Sequence, residues 1–253
     1  MMRALVLMAL LSIAQADLRS ATAGLKSADP AARARAACEI RELGSRARDV
    51  IPQLVELLAD GSPVDPEVCD ARTWRWSRFS DSTTTPGEQA ASALVAIGAP
   101  AYEPLTRLLN TPAWIARGNA VWALGALGKR EAAPLLAPVL RDAEPAVRRR
   151  GAWALGALDA SEAVPALIDA LKDSDAEVRQ QVAWALGAIG DRRAVDALIA
   201  ALGDQAPAVR EQAAWALGAI GDRRAEAALS KALKDADARV RRKAAWALGA
   251  IGG

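Results

Sequence analysis

Histidine is absent from all 253 residues. Imidazole is the usual general base near neutral pH, the centre of serine triads and a common zinc ligand, so its absence removes those chemistries together. Two cysteines, Cys38 and Cys69, are too few for a four-thiolate zinc site, and the chain contains neither a glycine-rich phosphate loop nor a Gly-x-Ser-x-Gly turn. Asp and Glu are plentiful, yet no carboxylate pair stands out from the solvated faces. Charge of one sign is missing as well: 32 Lys and Arg against 30 Asp and Glu leave a formal net charge of +2. Nothing global therefore points to nucleic acid, whose first signature is a basic footprint. The expectation is a protein that is not an enzyme and needs no cofactor or metal.

What remains is apolar and repetitive. Hydrophobic residues make up 52% of the chain and charged residues 25%, enough to build a packed core. With one Tyr and one Phe against eight Trp, the aromatics are almost all indoles. Trp122, Trp153, Trp184, Trp215 and Trp246 stand 31 residues apart, each in the phrase VWALGALG, AWALGALD or AWALGAIG. Val-Arg precedes four of them at a fixed distance, at 147–148, 178–179, 209–210 and 240–241. A fixed period of this length is the mark of a repeat array, which grows by stacking rather than around one centre.

The first residues, MMRALVLMALLSIAQA, combine Arg3, an apolar run from Ala4 to Ile13 and the small-x-small ending Ala14-Gln15-Ala16. These are the three parts of a signal peptide, with cleavage expected before Asp17. The run is short for a bilayer span, so the mature chain is expected to be exported, periplasmic or extracellular, without stable membrane insertion. No cysteine follows the run to take a lipid anchor. Cys38 and Cys69 survive cleavage, and in an exported protein two thiols are often paired. A bond between them would add about 3 kcal/mol by closing the chain between them. The alternative is two separate thiols.

Residues 178–204, VRQQVAWALGAIGDRRAVDALIAALGD, show what one unit contains. At about 100° per residue, Val178, Val182, Ala185, Leu186 and Ile189 share one helical face, which predicts a buried stripe. Gly190-Asp191 then breaks the helix and Asp191 can cap a second one, carrying Val195, Leu198, Ile199 and Leu202. The unit is an α-hairpin, and the fold expected is all-α, a solenoid of stacked hairpins.

The pattern D-x-x-V-R-x-x-A-A-x-A-L-G-x-I-G-D, present as DADARVRRKAAWALGAIG and DSDAEVRQQVAWALGAIG, resembles the short HEAT-like repeats first named from phycobilisome lyases. The resemblance runs from about Leu18 to the end. It implies a right-handed solenoid whose first helices line the concave side. The same family includes scaffolds, chromophore lyases and iron-dependent hydroxylases. The hydroxylases hold iron with His-Glu pairs, which this chain cannot supply. The expected organisation is a signal peptide at 1–16, an N-terminal cap and first repeat at 17–59, an insertion at 60–86 and a repeat array at 87–253 that ends in an incomplete repeat. First helices are expected at Ala32 to Leu43 and Glu88 to Ile97.

The insertion is rich in Pro, Ser, Thr and Asp and carries Trp74, Trp76 and Phe79 interleaved with Arg72, Arg75 and Arg78. A long loop inside an array either packs its aromatics onto the array or serves as a contact element. Cys38 occupies the repeat position of the later tryptophans, so a bond to Cys69 would pin this loop over the end of that row.

Trp184 lies about 240° from Val178 on the helix, nearly opposite the core stripe. Its neighbours there are Gln180, Gln181, Gly187 and Ala188. The resemblance makes the varying positions on this helix the recognition positions: Gly118 and Asn119, Arg149 and Arg150, Gln180 and Gln181, Glu211 and Gln212, Arg242 and Lys243. With helices about 10 Å apart, five indoles form a ladder about 40 Å long. A polyproline II peptide repeats every three residues at about 9.3 Å and would match one rung per turn. The leading expectation is thus a scaffold that binds a protein or extended peptide. The competing reading has each indole packed across the adjoining unit only. Arg117, Arg148, Arg179, Arg210 and Arg241 are expected to bridge to acids such as Asp175 and Asp237 or to helix-end carbonyls. The final AWALGAIGG is a first helix with no second, which adds two alternatives: end-to-end self-association, or a piece of a longer chain. A lyase-type enzyme subunit is the remaining alternative.

Overall fold

Most first helices begin where an aspartate, a threonine or a proline stops the preceding turn. In the computed structural model, which describes residues 18–69 and 83–252, Asp175 is extended and its carboxylate accepts from the Glu177 and Val178 amides, opening the helix Ala176–Ile189. Gly190 closes that helix in the left-handed region at φ 72°, where a side chain would be strained. Asp191 then accepts from the Arg193 amide, capping a 3-10 turn that leads into Val195–Ala201. Val178, Val182, Ala185 and Leu186 are fully buried, while Ile189 sits half-buried at the rim.

Gly221 and Asp222 repeat the roles of Gly190 and Asp191 in the next hairpin, and prolines open Pro145–Ala157 and Pro207–Ile220. Residues 18–24 form α1, followed by α2 (Pro30–Leu43), α3 (Ile51–Leu57), α4 (Pro86–Ile97), α5 (Tyr102–Arg107) and α6 (Trp114–Ala126). These belong to a first compact unit that ends at Leu127. The second unit, from Gly128, contains α7 (Ala133–Leu136), α8 (Pro145–Ala157), α9 (Val164–Ala170), α10 (Ala176–Ile189), α11 (Val195–Ala201), α12 (Pro207–Ile220), α13 (Glu226–Ala232) and α14 (Ala238–Gly252). First helices pack in a row: α2, α4, α6 in one unit and α8, α10, α12, α14 in the other. Each short second helix lies against the first helix that follows it, as α9 does on α10, α11 on α12 and α13 on α14. The result is an all-α, α-solenoid architecture of stacked hairpins.

The core of each unit is small-grained. Ala and Leu dominate; Leu124, Leu155, Leu186 and Leu217 of the recurring phrase, and Leu94 on α4, are completely buried, while Leu248 on α14 is half-buried. Among the described residues the only β pairing is one antiparallel bridge, Val64 to Thr84, at the root of the insertion. The stretch read as a signal peptide, and Trp74, Trp76 and Phe79, lie outside the described residues. No helix of the described residues is long and apolar enough to cross a membrane.

Candidate functional site

Trp184, Trp215 and Trp246 of the second unit sit in a row of contacting helices, and a glycine sets the height of each. A Cβ added to Gly187 would lie 2.6 Å from Trp215 Cζ3 and 2.7 Å from the Ala216 Cα. Gly156 meets Trp184 and Ala185 in the same way, and Gly218 meets Trp246 and Ala247. Each Trp-Ala pair thus lies across the glycine of the preceding first helix, where only a missing side chain leaves room. Trp153, Trp184 and Trp215 are half-buried. Trp246, on α14, is 48% exposed. The indoles therefore pack and show themselves at once: one ring edge rests on a neighbouring helix while part of the ring stays open. In the first unit Trp122 is likewise half-buried on α6.

The side chains around the indoles divide into two kinds. Four residues before each Trp, Arg149 forms an ion pair with Glu177 and Glu211 reaches Arg239 at 3.8 Å, each joining adjacent first helices. Charge is reversed between those two pairs, so this position helps hold the stack. Three residues before each Trp stand Arg150, Gln181, Gln212 and Lys243, on the same helical face as the ring. Lys243 shows that geometry directly, its Nζ 5.7 Å from the centre of the Trp246 ring. Gln180 is half-buried and Arg242 exposed. Asn119, read from the sequence as a varying surface position, is instead buried, and its Nδ2 donates to the Leu58 carbonyl at 2.9 Å. Gly118 is buried too.

The arginines after valine form a separate ladder. Arg179 donates from Nη1 to the Asp173 and Ser174 carbonyls, and from Nε and Nη2 to both carboxylate oxygens of Asp204, at 2.7 and 2.9 Å. Arg148 holds Asp173, and Arg210 holds Asp235, in the same bidentate way. In the first unit Arg33 pairs with Asp60 at 2.6 Å. The partner lies two residues ahead of the one expected: Asp173 and Asp235 take the arginines, while Asp175 and Asp237 cap their own helices. The hydrogen bond from Arg179 holds the Asp204 carboxyl below its ordinary value against the cost of burial. At Asp173 burial pushes the carboxyl up, and the Arg148 hydrogen bond, backed by the Asp175 amide, more than reverses it. The arginine partners are held above their usual range by the same bonds.

The insertion is rooted in the first unit by the Cys38–Cys69 bond, one of the two readings the sequence left open, and by polar contacts that the sequence did not reveal. Cys38 and Cys69 are joined by a disulfide, their Cα atoms 6.1 Å apart and both side chains buried. Val64 and Thr84 exchange backbone hydrogen bonds at 2.8 and 3.0 Å. Buried Gln89 donates to the Thr84 hydroxyl at 3.0 Å, and its carbonyl accepts from Arg41 at 3.5 Å. Burial draws the Arg41 guanidinium below its ordinary value against the pull of Glu42. Apart from Gln89 and Thr84, which are five residues apart, these partners come from distant parts of the chain, up to 48 residues apart, so no local pattern announces them.

Among the described residues no group of three His, Cys, Asp or Glu is placed to hold a metal ion. No curated protein matches the chain. Among solved structures, an engineered protein is similar at 20% identity, covering 93% of this chain and 96% of that one, with a TM-score of 0.52. Kap121p aligns with 95% of this chain and 30% of its own at 17% identity and a TM-score of 0.71. Kap95p, described as inducing the switch loops of RanGDP to adopt the GTP-bound conformation, aligns with 94% and 37% at 17% identity and a TM-score of 0.67. At these identities the likeness is one of fold. The model for HEAT repeats matches residues 81–144, 133–209 and 195–253, more than half of the sequence and the same stretch in which the Trp-Ala and Arg-Asp contacts recur, so the chain belongs to the HEAT-repeat family.

Proposed function

We propose that this chain is a non-enzymatic, exported scaffold that binds a protein through an extended peptide segment laid along its Trp-bearing first helices. The observation that carries the reading is the row Trp153, Trp184, Trp215 and Trp246, each partly open, flanked by Arg150, Gln181, Gln212 and Lys243, which change from Arg through two Gln to Lys along the row. A constant apolar rung beside a changing polar group supplies affinity and discrimination separately. The family's fold suits this use, and Kap95p, a relative in fold, is described as binding RanGDP. Half-buried, ion-paired residues such as Arg148 and Asp173 belong to the stack and not to the ligand surface.

The test uses selection and not a guess at the partner. A random-peptide display library is selected on the full chain, and enriched peptides are measured by fluorescence anisotropy. Trp246→Ala is the informative variant, because that ring is the most open of the row and its loss leaves the other rungs in place. A drop in affinity of about tenfold or more, with unchanged helicity, supports the reading. Equal affinity for wild type and Trp246→Ala, repeated for Lys243→Glu, would show that the row only packs.

A further inference from the structure

Several polar side chains beside the ring positions are already engaged inside the chain. Four residues before the ring, Arg149 pairs with Glu177 and Glu211 with Arg239. One residue nearer, the first unit carries amides that are buried and bonded. Asn119, three before Trp122, donates from Nδ2 to the Leu58 carbonyl at 2.9 Å. Gln89, three before Ser92, which takes the ring's place on α4, donates to the Thr84 hydroxyl at 3.0 Å. An amide at this register therefore reaches chain beyond its own helix, and for Asn119 the acceptor is a backbone carbonyl.

Gln181 and Gln212 hold the same place on α10 and α12, half-buried beside the half-buried Trp184 and Trp215. Among the described residues neither amide has a hydrogen-bond partner, and neither does the Nε1–H of either indole. The amide carries two N–H donors and one acceptor, and the indole adds a third donor on the same side of the helix. An apolar or a charged group would leave part of that set unmatched. A peptide group matches it, because its carbonyl takes a donor while its N–H gives to the amide oxygen. α10 and α12 pack directly on each other, with axes about 10 Å apart. A polyproline II segment presents an equivalent peptide group every three residues, at about 9.3 Å, and uses none of its N–H and C=O groups internally. A β-strand alternates from residue to residue and would turn every third peptide group away.

We propose, resting on the extended-peptide reading of this face, that Gln181 and Gln212 select the ligand by its backbone. They bind the peptide groups of residues i and i+3 of a segment in the polyproline II conformation, and neither of those residues is proline, whose nitrogen carries no hydrogen. Side-chain identity at the two ligand positions then matters less than a free N–H.

The test takes the peptides enriched on the full chain and replaces one backbone amide at a time by an ester. The ester removes the N–H and weakens the carbonyl as an acceptor while leaving every side chain in place. Two ester positions, three residues apart, are expected to lower affinity by about two- to tenfold, the range for one neutral hydrogen bond. Gln181→Met and Gln212→Met keep the side-chain length and lose the amide. Each should lower affinity by a similar factor, and each should erase the ester penalty at one of the two positions, a pairing that a merely structural glutamine would not show. Met is as good a helix former as Gln, so both variants are expected to fold, with circular dichroism and the urea midpoint as checks. Glutamine variants that bind every peptide as the wild type does, or ester penalties that persist unchanged in them, overturn the backbone contacts while peptide binding itself stands. A library that yields no binding peptide removes the extended-peptide reading and the backbone contacts with it.

Discussion

At the scale of single residues, the recurring phrase is a contact written twice: its Trp-Ala belongs to one helix and the Gly it covers belongs to the helix before. The ring and the backbone of the covering helix both stand within 3 Å of where a side chain on Gly187 would begin, and backbone cannot move aside as a rotamer can. Gly187→Ala is therefore expected to destabilise the chain by about 2 to 3 kcal/mol, read from the urea midpoint. Gly249→Ala, in the same phrase but with nothing near it, should be neutral or gain up to about 1 kcal/mol from helix propensity. Equal effects at the two sites would disprove the close-packing account. A second residue breaks the repeat's own rule. Where Gly128, Gly190 and Gly221 end their helices with positive φ, Asp159 stands at φ 52°. Its side chain pairs with Arg130 at an exposed site, where an ion pair contributes little. Asp159→Gly is expected to raise stability by about 0.5 to 1 kcal/mol, seen as a higher melting temperature.

At the scale of helices and turns, the arginine ladder makes stability depend on acid. Asp173, Asp204 and Asp235 all titrate lower in the folded chain than in the unfolded one, through their arginine hydrogen bonds and, for Asp173, against a larger burial cost. Depressed carboxyls stabilise the fold above their unfolded value, near pH 4, and that contribution is lost as the pH falls through their folded values. Denaturation midpoints should be level from about pH 5 to 8 and decline below about pH 4, and Asp204→Asn should lower the plateau and flatten the decline. An unchanged slope in Asp204→Asn would remove Asp204 from the ladder. The structural role of these arginines was legible from their constancy, and so was the helix–turn–helix period. The choice of acid was misread, although the sequence held the answer: Asp173, Asp204 and Asp235 are constant, whereas the positions two later read Asp175, Ala206 and Asp237. The orientation of the indoles was legible only in part. A single helical wheel places Trp184 opposite the face buried by its own hairpin, but a helix in a row has neighbours on both sides, and these bury a second face. The roots of the insertion were illegible because Arg41 and Gln89, and Asn119 and Leu58, meet only after the chain has folded back on itself.

At the scale of the whole molecule, an array transmits stability between neighbours, so where a constraint sits decides what it protects. The Cys38–Cys69 bond joins α2 to the insertion's near root, within the first unit. Because it closes a 31-residue separation, its loss should cost about 3 kcal/mol through the wider freedom of the unfolded chain. Both cysteines are nearly inaccessible, at 7% and 3% exposure, so a paired replacement by alanine removes the crosslink without burying a new polar group. The roots are also held by the Val64–Thr84 bridge, by Gln89 on Thr84 and by Arg33 on Asp60, which the replacement leaves intact. The double variant Cys38→Ala, Cys69→Ala is thus expected to fold. Its hydrogen exchange should quicken most in α2 and residues 60–69, less in α4, and not measurably in α12 to α14, because each repeat feels chiefly the one beside it. Exchange that quickens evenly from α2 to α14 would mean that the chain opens as one cooperative body, and the nearest-neighbour picture of this array would fail.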